Sequence, residues 1–156
     1  MKRRQAREIA LQILYQLDLN PADPGEALEL YWRTFDPPLE LRDFASRIVK
    51  GVWENRSRID QLIDQAAFHW RIDRMDRVDR NILRMGVFEL LYCDDIPMKV
   101  AINEAVELGK KFGSAEDSKG FINGILDRIA KTVLEGSSDG GEGQQDLDGR
   151  RADPVG

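Results

Sequence analysis

Cysteine and histidine are almost absent from this sequence, in which Cys93 and His69 are the only residues of their types among 156. A single cysteine excludes an intramolecular disulfide framework, and one cysteine with one histidine cannot build a zinc site of the usual Cys/His spacing. We therefore expect no metal ion and no cofactor. This usage predicts a reduced, cytoplasmic protein.

Long apolar runs are also missing. The N-terminal segment begins with positive charge, as a signal peptide does, but charged and polar side chains interrupt its apolar residues at Arg7, Glu8, Gln12 and Asp18. No stretch reaches the roughly 18 consecutive apolar residues of a membrane span. The sequence predicts neither a secretion signal nor a transmembrane helix.

Net positive charge is lacking as well, because the formal charge is −5. Such a value argues against a nucleic-acid partner, but the charge is unevenly distributed. Residues 135–156 contain six acidic and two basic side chains, which gives −4 and leaves about −1 for the rest. The first seven residues, in contrast, include four basic ones: Lys2, Arg3, Arg4 and Arg7. An RNA partner at this basic start is therefore not excluded.

The C-terminal segment 136–156 is rich in Gly, Ser, Gln and Asp and has almost no apolar residues. Such a composition cannot offset the backbone entropy that is lost on ordering. We predict a folded domain over residues 1–135, followed by a disordered acidic tail.

The folded part has helical periodicity throughout. In residues 4–20, apolar residues recur with i, i+3, i+4 and i+7 spacing, as at Ala6, Ile9, Ile13 and Leu17. Further helices are predicted at 24–35, twice between 39 and 68 with a bend near 55–57, and at 75–93, 97–112 and 114–131. Ser114 and Asp117 fit a capping box for the last of these. No segment alternates like a strand, so the predicted fold is all-α with about seven helices.

Basic and aromatic residues share one stripe of the first helix: Arg4, Arg7, Leu11 and Tyr15. Guanidinium groups pair with phosphates and a tyrosine ring stacks on an unpaired base, so an exposed stripe of this kind suits single-stranded RNA. The alternative is a solvated arginine face with Tyr15 at the edge of the core. The residues alone leave both interpretations open.

Other polar residues allow similar alternatives. The predicted central helix has Arg77, Arg80 and Arg84 among acidic residues, and these charges either form a partner surface or neutralise one another. In the last helix, Asn123 can read a base edge or satisfy a buried backbone group. Glu104 and Glu107 have no histidine or nucleophile beside them in the sequence, so an active site is not expected.

Four segments resemble, in the same order, the NusB family of bacterial transcription antitermination factors: AREIALQILYQ at 6–16, VDRNILRMGVFEL at 78–90, IPMKVAINEAVELGKKF at 96–112 and SKGFINGILD at 118–127. The resemblance covers about residues 1–131. It implies two packed helical subdomains, of about three and then four helices, which we assign to residues 1–70 and 71–135. It also implies binding of boxA RNA in ribosomal RNA leaders and antitermination sites, most tightly with NusE, a small-subunit ribosomal protein. The further partners that it implies are other Nus factors and RNA polymerase.

The resemblance also assigns residues. It implies that RNA phosphates are bound by the basic start, which comprises Lys2, Arg3, Arg4 and Arg7, with Gln12 and Tyr15 beside it. It implies an RNA-facing side on the second subdomain with Lys99, Asp117, Phe121 and Asn123, where Phe121 is the candidate for base stacking. The surface expected to meet NusE contains Asp79, Arg80 and Arg84. No catalytic residue is implied.

Two other classes of protein have to be weighed. The same fold occurs as the N-terminal domain of certain ribosomal RNA cytosine methyltransferases, but those enzymes need a further α/β domain and catalytic cysteines, and this chain is expected to end in a disordered tail. A helical adaptor that binds only protein is favoured by the net negative charge. The sequence also leaves open whether the protein is a monomer or a homodimer that covers its arginine stripe.

Overall fold

The computed structural model describes residues 2–68 and 72–143 of the chain. This part contains seven α-helices and one short 3-10 turn at Ile72–Arg74, and no strand. The helices are α1 (Lys2–Leu19), α2 (Pro24–Phe35), α3 (Leu39–Glu54), α4 (Arg56–Ala67), α5 (Arg77–Tyr92), α6 (Met98–Phe112) and α7 (Ser118–Gly143). The predicted all-α fold with about seven helices is confirmed.

Local signals in the sequence fix most helix ends. The Asp23 carboxylate caps α2 by accepting the backbone N–H of Glu26 at 3.0 Å, and Pro24 occupies the first turn, where its missing N–H costs nothing. The predicted bend between the third and fourth helices lies at Asn55, whose side-chain amide donates to the Gly51 carbonyl at 2.8 Å. These boundaries agree with the sequence prediction.

The start of α7 differs from the prediction. Ser114 does not cap the helix, because its hydroxyl donates to Asp79 Oδ2 at 3.0 Å and its N–H donates to Asp79 Oδ1 at 3.4 Å. The helix begins at Ser118, whose Oγ accepts the N–H of Ala115 at 3.1 Å. The predicted capping box is therefore wrong, because Ser114 is hydrogen-bonded to Asp79 of α5 instead of to the first turn of α7.

Helix α7 also continues beyond Lys131, where the sequence analysis ended it, and reaches Gly143. The rest of the predicted disordered tail, residues 144–156, lies outside the described residues.

Helix α5 lies at the centre of the fold. It packs against α1, α3, α4, α6 and α7, and Ile82, Leu83 and Val87 on it are fully buried. One continuous cluster of buried apolar side chains extends from Ala6 to Ala130. The predicted boundary between two subdomains near residue 70 falls outside the described residues, so this division stays a prediction, with α1–α4 before it and α5–α7 after it. None of the described helices is both long and apolar enough to cross a membrane.

Candidate nucleic-acid interface

The basic start of the chain forms the first turn of α1. The side chains of Lys2, Arg3 and Arg4 are 69%, 51% and 49% exposed, and the first turn contains no acidic residue. The N-terminus of a helix already has partial positive charge, so basic side chains there destabilise the helix unless anions lie nearby. This turn therefore attracts anions, both through its side chains and through its backbone.

Carboxylates from other parts of the fold supply the nearest anions. Each exposed cation of the turn pairs with a different one: Lys2 with Glu40 at 3.1 Å, Arg3 with Asp95 at 3.2 Å and Arg4 with Glu104 at 2.8 Å. The Arg4 pair is bidentate, because Nε donates to the second carboxylate oxygen at 3.1 Å. The hydrogen bonds from Arg4 lower the pKa of Glu104, so this carboxylate is ionised at neutral pH.

Arg7 differs from its neighbours because it is buried. Its Nε and Nη2 donate to the two carboxylate oxygens of Glu89 at 2.8 and 2.9 Å, and the two residues are only 4% and 2% exposed. Burial raises the pKa of Glu89, and the Arg7 hydrogen bonds oppose this only in part. The expected exposed stripe is therefore wrong at Arg7 and at Leu11, which is also buried, because α3 and α5 both pack against α1.

An aromatic ring organises the cations around the basic turn. The guanidinium groups of Arg3, Arg7 and Arg47 lie 4.3, 5.1 and 5.9 Å from the centre of the Phe44 ring, within the range of cation–π attraction. Arg47 also donates to both carboxylate oxygens of Asp95, at 3.1 and 2.5 Å, and this lowers the pKa of Asp95. The contribution of α3 was not predicted. Its signal in the sequence is Arg47, which follows Phe44 by three residues and so lies on the same side of the helix.

The flanking residues lie further along α1. Gln12 is exposed and its Oε1 accepts the hydroxyl of Tyr31 at 2.7 Å, while Tyr15 is half-buried. Gln12 and Tyr15 thus lie about two and about three turns beyond the basic turn.

Two of the candidates on the second half of the chain meet in a cleft. Asp117 and Phe121 line it together with Asp79 and Arg74, between the N-terminal ends of α5 and α7, and its volume is about 210 Å³. Phe121 is half-buried, so one part of its ring is accessible. Lys99 and Asn123 are exposed but do not line the cleft; they lie on α6 and α7. We call the four residues Asp79, Arg74, Asp117 and Phe121 the Phe121 cleft.

The three residues expected to meet NusE are buried, which corrects the prediction of an exposed surface. Asp79, Arg80 and Arg84 are 6%, 9% and 8% exposed. Asp79 accepts hydrogen bonds from the hydroxyls of Ser114 at 3.0 Å and Ser118 at 3.1 Å. Because α5 is surrounded by other helices, its polar side chains bond inward.

The two arginines are bound by aspartates of neighbouring helices. Arg80 donates to Asp18 of α1 at 2.8 and 3.2 Å, and Arg84 donates to both oxygens of Asp60 in α4 at 2.8 and 2.9 Å. Burial acts to raise the pKa of Asp18, but these arginines and the amide of Asn81 together lower it. The arginines of α5 are neutralised, but not by the acidic residues of their own helix as the second interpretation predicted, because their partners come from α1 and α4.

The contacts of this surface are of the kind that bind anions and planar rings. Within the described ranges, no group of three or more His, Cys, Asp or Glu side chains is arranged to hold a metal ion. Glu104, the candidate acid from the sequence, is occupied by Arg4. What the surface offers is a turn of exposed cations, a cluster of arginines on one ring and a cleft with an accessible phenylalanine.

Comparisons with known proteins agree on one family. The model of the NusB family matches residues 4–131. Proteins named transcription antitermination protein NusB are 52% identical in Syntrophus aciditrophicus (82% of this chain, 79% of that protein) and 53% identical in Myxococcus xanthus (82% and 94%). The solved T. maritima NusB is 37% identical, with a TM-score of 0.73 over 83% of this chain and 90% of that one. A crystal structure of the antitermination factors NusB and NusE in complex with dsRNA matches with 30% identity and a TM-score of 0.75 over 84% and 97%. The chain belongs to the NusB family.

Proposed function

We propose that this protein is a transcription antitermination factor that binds boxA-type single-stranded RNA of ribosomal RNA leaders together with NusE. In this role it acts in the cytoplasm and promotes processive elongation by RNA polymerase without catalysing a reaction. The names of its relatives and the solved NusB–NusE–RNA complex of a family member support the proposal. The observation that carries it is the turn of three exposed cations at the N-terminus of α1.

The basic turn is the proposed phosphate-binding part. Exposed arginines and lysines on a positive helix end attract the RNA backbone without reading its sequence. The sequence suggested four phosphate contacts, including Arg7, but the buried bidentate pair of Arg7 leaves three exposed cations. At about 0.7 per neutralised phosphate, log Kobs against log salt should have a slope of about −2 rather than −3.

The Phe121 cleft is the proposed base-binding part. A base stacked on an aromatic ring contributes roughly 1–3 kcal/mol, and single-stranded RNA can turn its bases outward to reach such a ring. Asp117 and Asn123 lie on the same end of α7 and provide an acceptor and an amide for base edges, while Lys99 adds a cation on α6. Gln12 and Tyr15 extend the surface along α1.

We also propose that Asp79, Arg80 and Arg84 act on NusE binding indirectly. Their side chains bond to other helices of the chain, so they fix α5 against α1, α4 and the segment before α7. A NusE surface formed by the neighbouring exposed residues depends on that arrangement.

The test is fluorescence anisotropy with a labelled boxA-like RNA and a scrambled RNA of equal length, with and without equimolar NusE. Selective binding that tightens with NusE supports the proposal. Arg3→Ala with Arg4→Ala should weaken binding of both RNAs and reduce the salt slope by about 1.4, because two phosphate contacts are lost. Lys131→Ala is the matched control, since Lys131 is 70% exposed and pairs within α7 with Asp127.

The Phe121 cleft gives a second, independent readout. Phe121→Ala should reduce the preference for the boxA-like RNA over the scrambled one, since a stacking contact is lost. If neither RNA binds selectively while NusE still binds the folded protein, the chain is a protein-only adaptor and the proposal is wrong.

A further inference from the structure

The basic surface contains almost as many anions as cations. Five cations lie together on α1 and α3, namely Lys2, Arg3, Arg4, Arg7 and Arg47, and four carboxylates are paired with them, namely Glu40, Glu89, Asp95 and Glu104. An RNA phosphate that approaches this surface therefore meets cations that already have partners. A phosphate that uses the donors already bound by a carboxylate has to displace that carboxylate.

Two of these carboxylates are placed to compete with phosphate directly. Glu104 occupies both the Nε and the Nη2 donors of Arg4, the donors that a phosphate would use in a bidentate contact. Asp95 accepts from Arg3 on one helix and from Arg47 on another, so a single carboxylate occupies two guanidinium groups. Glu89, in contrast, is buried with Arg7, away from RNA.

A purely structural role explains these two pairs poorly. The side chains of Arg3, Arg4 and Asp95 are about half exposed and that of Glu104 is 18% exposed. Ion pairs that solvent reaches in this way contribute little to the free energy of folding. Their effect on an incoming anion is larger, because they remove the donors and neutralise the field that would attract it.

We propose that Glu104 and Asp95 are affinity-setting residues that weaken the binding of any RNA by competing with its phosphates for Arg3, Arg4 and Arg47. This inference rests on the proposed function of the basic turn. Phosphate contacts are independent of sequence, so competition lowers the affinity for all RNAs by a similar factor. An RNA that offers only phosphates then stays weakly bound. One that adds base contacts at the Phe121 cleft, or contacts through NusE, overcomes the competition.

The experiment compares wild type with Glu104→Gln, Asp95→Asn and the double variant, in which the side-chain size is kept and the charge is lost. Asp36→Asn is the matched control, because it removes the same charge from a carboxylate that pairs with Arg42, outside the basic surface. Each protein is titrated into labelled boxA-like and scrambled RNA at about 50 mM salt, and its urea midpoint and circular dichroism are recorded.

We expect each single variant to bind both RNAs roughly 2- to 5-fold more tightly, the range that corresponds to an exposed ion pair. The affinity of the double variant should increase by about the product of the two single-variant factors. The affinity of Asp36→Asn should change by less than about 2-fold. Tighter binding distinguishes competition from a structural role, because the loss of a structural contact would lower the affinity for RNA together with the urea midpoint.

The outcomes distinguish this inference from the proposed function. If wild type binds selectively and the variants bind no more tightly than wild type, the inference is wrong and the function stands. If no protein is selective but the double variant binds scrambled RNA more tightly than wild type and Asp36→Asn, the inference stands and the function is wrong. If neither wild type nor the double variant binds either RNA at this salt concentration, both are wrong.

Discussion

Replacing Arg7 with methionine should destabilise the protein far more than any change in the exposed basic turn. Methionine keeps most of the apolar volume of the side chain but removes both hydrogen bonds to Glu89 and the contact with the Phe44 ring. Glu89 is then a carboxylate that is 2% exposed and has lost its bidentate partner. An uncompensated charge inside a protein is costly, because burial removes its hydration.

The magnitude follows from the geometry of this pair. Breaking a buried, hydrogen-bonded ion pair by removing one partner typically costs about 3–5 kcal/mol. For a domain of this size, each kcal/mol lowers Tm by roughly 2–4 °C, so Arg7→Met should melt roughly 6–20 °C below wild type. Removing both charges restores most of the lost stability. The free energy of unfolding of the double variant Arg7→Met with Glu89→Leu should therefore lie within about 2 kcal/mol of the wild-type value.

Urea and thermal unfolding at pH 7.5 and pH 5.0 measure these effects. The folded state raises the pKa of Glu89 above its usual value, so it binds a proton more readily than the unfolded chain does. Stability linked to this group therefore increases as pH falls through the folded pKa, and the penalty of Arg7→Met should be smaller at pH 5.0 than at pH 7.5. Arg4→Met, from an exposed pair, is the control and should melt close to wild type. A Tm for Arg7→Met within about 3 °C of wild type at pH 7.5 would show that Glu89 does not need Arg7 as its buried partner.

Two further predictions concern the packing of α3 on α5 and the loss of stability at acidic pH. Gly51→Ala should destabilise the fold by about 1–3 kcal/mol in urea unfolding, because the added Cβ would collide with the ring of Phe88, whereas Gly120→Ala meets no atom within 4 Å and should be neutral or stabilising. The opposite order would contradict the packing of α3 on α5. Hydrogen bonds from Arg47 lower the pKa of Asp95 below its unfolded value, so this carboxylate contributes stability above about pH 4 that is lost as pH falls through the folded pKa. Asp95→Asn should lose less stability than wild type between about pH 4 and pH 2, and equal losses would show that the pair does not contribute.

Helix positions could be predicted because their signals are local. Asp23-Pro24 starts α2 and Pro97 precedes α6, and each acts through the backbone of its own turn. The start of α7 could not be predicted in this way. Ser114 has the sequence of a cap, but Asp79, distant in the chain, binds it more favourably than the local backbone does.

The site was predicted less completely, because burial of a polar residue depends on what covers it. A helical projection places Arg7 at the edge of the apolar face of α1, and only the packing of α5 shows that the edge is covered. The sequence did contain a signal: Glu89 stands between Phe88 and Leu90 in a helix that is apolar on most sides. An acid at such a position predicts a buried basic partner, and Arg7, at the edge of the apolar face of α1, was a candidate for it.

The polar residues of α5 connect the two parts of the proposed RNA surface. Glu89 holds α1, and with it the basic turn, through Arg7, while Asp79 holds the start of α7, and with it the Phe121 cleft, through Ser118. These two positions are ten residues apart on one helix, about 15 Å at 1.5 Å per residue. The distance between the proposed phosphate contacts and the proposed base contacts therefore depends on this buried helix. Consequently, a change at Asp79 or Glu89 should alter selectivity for boxA over scrambled RNA, although Glu89 is only 2% exposed and Asp79, in the wall of the Phe121 cleft, only 6%. If Asp79→Asn stays folded and keeps wild-type selectivity with and without NusE, α5 does not set this distance.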